Sequence, residues 1–140
     1  MRKRTAIVLG LGIAMVLAIS FFILYPYVLM GPPLHLFSIQ NRDGTDAHEV
    51  LVEIIDSEHQ PIFTETIVVA PNEEISYPKP LWLKLTRSRG EYTFNVRVDN
   101  TFTETCTTEV DPWLEVLIAL YARDPRSGEI RPLTITRVVV

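Results

Sequence analysis

The side chains of this sequence that could do chemistry are few and scattered. Cys106 is its one thiol, and His35, His48 and His59 are its only imidazoles. Two histidines, a cysteine and a weak axial methionine would make a blue-copper site. No histidine follows Cys106, however, and Met1, Met15 and Met30 all lie in or before an apolar N-terminal run. A copper carrier is therefore not expected. Cys106 reads instead as a half-buried small hydrophobe, with an intermolecular disulfide open to it if the domain is exported. A single cysteine also excludes a disulfide-stapled scaffold and any multi-cysteine zinc or iron–sulfur centre. Asn41, Asp43, Asp46 and Glu49 cluster around Gly44 and offer hard oxygen ligands. Their spacing departs from the EF-hand loop, so a plain turn is the expectation. Asp56, Ser57 and His59 are the residue types of a hydrolase triad, but three neighbours in one turn cannot take its separate roles. There is no Gly-x-Ser-x-Gly elbow, Gly-rich phosphate loop or His-Glu-x-x-His. No catalytic residue, cofactor or metal site is expected. The competing expectation is a metal-binding or redox protein built on Cys106 or the Asp43/Asp46/Glu49 loop.

The elements that would position these groups fall into two kinds. The 140 residues suffice for one domain of ordinary size. A mean hydropathy of +0.17 beside 21% charged residues implies two regions meant for different solvents. Thr5 to Met30 contains no charge, and the first one after it is Arg42. About 20 such residues span a hydrocarbon core of about 30 Å as a helix, so residues 5–30 are expected to be a transmembrane anchor. Arg2, Lys3 and Arg4 precede it, which by the positive-inside rule keeps residues 1–4 cytoplasmic and carries the rest outward. Phe21, Phe22, Tyr25 and Tyr27 then fall at the far interface, and Pro26 marks the helix end or a kink. A cleaved signal peptide has the same basic start but a shorter apolar stretch and a small-x-small site. An uncleaved signal anchor is therefore the expectation. Ala6, Gly10, Ala14 and Ala18 recur every four residues, a stripe along which two helices could pair closely in lipid.

Residues 31–33 form a short, stiff Gly-Pro-Pro linker, expected to hold the domain close to the membrane surface. From Leu34 to residue 140 the hydrophobic period becomes two. Val50, Val52 and Ile54 alternate with Leu51, Glu53 and Ile55, and Tyr92, Phe94, Val96 and Val98 alternate with Thr93, Asn95, Arg97 and Asp99. Such alternation predicts strands with one dry face. Further strands are expected at Ile62–Val69, Phe102–Val110, Trp113–Ala122 and Leu133–Val140, with short extended pieces at Glu74–Tyr77 and Leu81–Thr86. The total is seven or eight short strands separated by turn signals, the pattern of an all-β, antiparallel β-sandwich.

Ala70-Pro71-Asn72-Glu73-Glu74, followed by Arg89-Gly90-Glu91-Tyr92 and the alternating run to Asp99, resembles the middle of immunoglobulin-like extracellular modules. The likeness is to fibronectin type III-like and CARDB-like domains of bacterial and archaeal surface proteins. It implies an Ig-like sandwich with a binding or spacer role; the cysteine pair of antibody domains is missing. Removing Arg2, Lys3 and Arg4 leaves ten basic against seventeen acidic residues, a net of −7 for the exported part. Such a surface repels phosphate, so no nucleic-acid partner is expected. The expectation is a single-pass, membrane-anchored interaction module or accessory subunit at the cell membrane, not an enzyme. Its partner would be another protein or a second copy, met through aromatic residues such as Tyr77, Trp82 and Phe102.

Overall fold

The computed structural model describes residues 2–85 and 90–139, with the side chains of residues 2–6, Trp82 and Leu85 outside that description. Ala6 and Trp82 are thus placed by backbone only, and Thr86 and Val140 lie outside the described residues. The chain forms two compact units, Met1–Pro33 and Leu34–Val140.

The first unit is one helix, α1 (Arg2–Met30). Within it Ile7–Met30 has a mean hydropathy of 2.8 and no part buried in the protein, a segment long and apolar enough to cross a membrane. Its 24 residues rise about 36 Å. A helix suits an apolar solvent because its backbone polar groups pair within the segment, here with the exception of the Phe22 carbonyl, which loses its donor at Pro26. Pro26 does not end it, and the helix runs on for another turn. Gly31 stops it instead: its φ of +79° is left-handed, and its N–H donates to Tyr27 O at 3.0 Å. This is the left-handed C-terminal cap that glycine makes without strain, and Pro32 and Pro33 forbid continuation.

Among the described residues the second unit contains eight strands and one short helix: β1 (Phe37–Asn41), β2 (His48–Ile55), β3 (Pro61–Val69), β4 (Glu74–Tyr77), α2 (Leu81–Leu85), β5 (Glu91–Val98), β6 (Phe102–Glu109), β7 (Leu114–Arg123) and β8 (Ile130–Val139). They make two four-stranded sheets, ordered β4-β1-β7-β8 and β3-β2-β5-β6. Every pairing is antiparallel except one: β1 runs parallel to β7, with Phe37 opposite Val116 and Asn41 opposite Leu120. The all-antiparallel expectation is corrected there. Parallel neighbours cannot be joined by a hairpin, and β1 and β7 are joined through five intervening strands.

Alternation builds the core. Val50, Val52 and Ile54 of β2, Phe94, Val96 and Val98 of β5, Phe37 and Ile39 of β1, and Val116, Ile118 and Leu120 of β7 are all fully buried in one cluster. Residues from both sheets share it, while the intervening side chains face outward. The β5–β6 connection is a tight hairpin in which Asp99 and Asn100 both have positive φ, and Thr101 N–H donates to Val98 O. These two residue types tolerate the left-handed conformation that the turn twist demands. Of the stretch expected to be extended at Leu81–Thr86, Leu81–Leu85 is instead the helix α2. Pro80 supplies the carbonyl that accepts from the N–H of Leu83 and Lys84, leucine and lysine favour helix, and Leu83 is driven into the core.

Phe94 fills the middle of the cluster with no solvent exposure. Phe94→Ala is expected to lower the stability of the full-length chain by about 3–5 kcal/mol, read as a lower denaturant midpoint in mild detergent. A midpoint equal to that of the parent would contradict the placement of the core.

Candidate functional site

Two sheets packed face to face leave two ends open. At the near end, where the chain comes in at Leu34, β1 begins and β4 finishes; at the far end β1 finishes and β2 begins. Each end is closed by one nitrogen base set among oxygen acceptors.

Lys79 does this at the near end. Its side chain is 3% exposed, between Pro78 and Pro80. Nζ donates to the backbone carbonyls of Leu34 at 2.9 Å, His35 at 2.8 Å, Leu114 at 2.6 Å and Pro112 at 3.3 Å. Three N–H bonds serve four oxygens, so at least one is shared. The ammonium thereby ties the first residues of the domain to the β6–β7 connection. Burial outweighs the attraction of Asp111 and Glu115 and holds its pKa down to about 8. Nearby, Phe37, Phe63 and Tyr77 form an aromatic cluster: Tyr77 stacks on Phe37 at 4.7 Å, and Phe63 meets both edge-on at 5.3 and 5.5 Å. Leu36, Ile62, Phe63, Tyr77, Pro78 and Pro80 line an apolar cavity of about 330 Å³ beside it.

His48 closes the far end. It is the first residue of β2 and takes the inward position that Val50, Val52 and Ile54 continue. Its ring, 9% exposed, lies between two carboxylates: Nδ1 is 2.7 Å from Asp99 Oδ2, and Nε2 is 3.2 Å from Asp43 Oδ2. A carboxylate only accepts, so the arrangement suits an imidazolium, whose two ring N–H groups can donate to both. Burial works against that charge, but the hydrogen bonds and charges of Asp99 and Asp43 outweigh it and raise the pKa above its ordinary 6.5. Tyr121 stacks on the ring at 4.4 Å and 24°. Tyr121 has a φ of +51° inside β7, an unusual conformation for a bulky residue. Asp43 also accepts the N–H and hydroxyl of Thr45, bonds that with His48 hold its pKa down to about 2. Asp99 Oδ1 accepts the N–H of Glu49. Asn41, buried at the end of β1, donates to the carbonyls of Asp46, Val69 and Ala70.

Of the residues singled out by type and spacing, Asn41, Asp43 and Asp46 meet His48 at the far end, while the three histidines and Cys106 do not converge. His35 sits at the near end, His48 at the far end and His59 in the β2–β3 turn, and Cys106 is half-buried on β6 opposite Phe94. Among the described residues no three His, Cys, Asp or Glu side chains are grouped to hold a metal ion. Asp43 is engaged with Thr45 and His48, while Glu49 is exposed on β2. Asp56 accepts the N–H of Glu58 and Gln60, ordering its own turn. Tyr77 is half-buried at the near end, whereas Phe102, 39% exposed, pairs with Val98 at the far end of the other sheet. They do not form one patch, and the side chain of Trp82 lies outside the described residues. On α1, Gly10, Ala14 and Ala18 are exposed, with open space around Gly10.

Two groups escaped a reading by residue type: Lys79 and the Asp43–His48–Asp99 bridge. Their signals were a lysine held between two prolines and a histidine on the dry face of an alternating strand. No family model, curated protein or solved structure matches the chain.

Lys79→Met keeps the packing of the stem but leaves carbonyls in the near end without their donor. It is expected to cost about 2–4 kcal/mol, measured by denaturant unfolding of the full-length chain in detergent. Unchanged stability would show that the carbonyls do not need the ammonium.

Proposed function

We propose that this protein is a single-pass, membrane-anchored module whose Ig-like domain lies outside the cytoplasm and works by holding a protein partner, as an accessory subunit of a membrane or surface complex. One observation carries this reading: an apolar helix of 24 residues with no part buried in the protein precedes a separate unit with its own complete core. Such a helix left in water would expose far more contiguous apolar surface than a soluble chain tolerates. The basic residues Arg2, Lys3 and Arg4 favour a cytoplasmic N-terminus.

The partner contact is assigned to the near-end cavity. It contains Tyr77, one of the aromatics expected to make contacts, and its rim is rigid because Pro78 and Pro80 flank the pinned Lys79. A preformed apolar hollow bordered by aromatic rings takes an apolar side chain of a partner at little ordering cost. The polar side chains of both ends are engaged with the protein's own groups, which suits a binding role better than a catalytic one.

A photoactivatable cross-linking residue at Ile62, exposed on the cavity rim, should give one discrete adduct in native membranes. The same residue at exposed Val68, further along β3, should give none. Equal labelling at both positions, or none at Ile62, would contradict this contact.

A further inference from the structure

We propose that the Asp43–His48–Asp99 bridge is a proton-operated latch, holding the β1–β2 loop in one conformation while His48 is protonated and loosening it when the proton leaves. The latch depends neither on the anchor nor on any partner.

The geometry decides which side yields. A neutral imidazole has one N–H and two carboxylate neighbours, so one contact must turn from attraction into a meeting of lone pair and anion. Nδ1 to Asp99, at 2.7 Å, is the shorter bond and keeps the proton; Nε2, at 3.2 Å from Asp43, loses it. Asp43 is the residue that organises the loop, through the N–H and hydroxyl of Thr45 and a longer bond from the N–H of Asp46. Stacking on Tyr121 also favours the charged ring, because an aromatic face attracts a cation. The loop keeps its tie from Asn72 N–H to Asp43 O and from the Asn41 side chain to Asp46 O. Release is therefore a local loosening that leaves the sheets intact.

The groups that face His48 all bear on the same equilibrium. The β1–β2 loop supplies Asp43, with Asp46 beside it, and the β5–β6 turn supplies Asp99. β7 supplies the Tyr121 hydroxyl, whose own pKa is raised by burial and then by Asp99, Asp43 and Asp46. β3 brings only Val69 opposite it, β1 ends in the neutral Asn41, and the adjacent Glu49 carboxylate is exposed. Arg42 of the β1–β2 loop donates to Gln40 Oε1. With the folded pKa of His48 raised, the stabilisation from its proton is complete below the ordinary 6.5 and is lost as pH rises through the folded value. Asp43 acts the opposite way: its lowered pKa gives stability above 3.8 that disappears as pH falls through about 2. The latch is closed between these limits.

The test uses the full-length chain in mild detergent, following the ring protons of all three histidines by NMR as pH rises. His48 is expected to titrate above the ordinary 6.5 of an imidazole. Across its titration, exchange protection of the Thr45 amide, corrected for intrinsic rate, should fall by about tenfold or more, the loss of one charge-assisted hydrogen bond. The Glu49 amide, held by Asp99, should keep its protection. His48→Gln should show low Thr45 protection at every pH; should that variant not fold, the parent titration decides alone. His48 titrating at or below 6.5, or Thr45 protection unchanged through its titration, overturns the latch.

Discussion

The chain changes its hydrophobic period within a few residues, and everything else is arranged around that change. Up to Met30 the side chains are apolar all round and the backbone satisfies itself inside one helix. From Phe37 the apolar positions recur every second residue and the backbone finds partners across strands. A segment apolar on every face and a sheet apolar on one face need different surroundings. Gly31, Pro32 and Pro33 separate them sharply, because a left-handed cap followed by two prolines allows neither the helix to continue nor a strand to begin.

Inside the second unit the difficulty is the open ends of a two-layer core. Apolar side chains fill the middle, but strand ends carry backbone groups that neither sheet can pair. Lys79 gathers four carbonyls from two parts of the chain, and Asn41 gathers three more at the opposite end. Removing such a donor costs more than the bond is worth, since the acceptors stay buried. His48 does a related task with a titratable group, so the two ends differ in kind. Lys79 holds carbonyls that never change charge; His48 holds two carboxylates whose attraction depends on its proton.

Much of the fold was legible in the residues. The alternation from Tyr92 to Val98, the threonine-rich run from Phe102, and the turn residues Asp99 and Asn100 specify a hairpin, and β5 and β6 pair in it. Trp113–Ala122, short and bounded by turns, was expected as a strand, and Leu114–Arg123 is β7. β1 was harder to see, because five residues carry little periodic signal and its parallel partner lies far along the chain. Helix α2 was hidden by the prolines, whose effect depends on whether they precede or interrupt a turn. The bridge around His48 was least legible. It joins residues 43, 48, 99 and 121, and only the strand register brings them together.

The proposed anchoring keeps α1 attached in a membrane and the β domain outside the cytoplasm. Labelling of one introduced cysteine tests it most directly. Ser127 is exposed in the β7–β8 loop, so Ser127→Cys in a Cys106→Ser background offers a single accessible thiol. With a membrane-impermeant maleimide on intact cells, the expected result is full labelling before lysis, on a band of full-length mass that stays in the membrane pellet after an alkaline wash. Labelling only after lysis, or a labelled product shortened by roughly the length of α1 and released from the membrane, would contradict it.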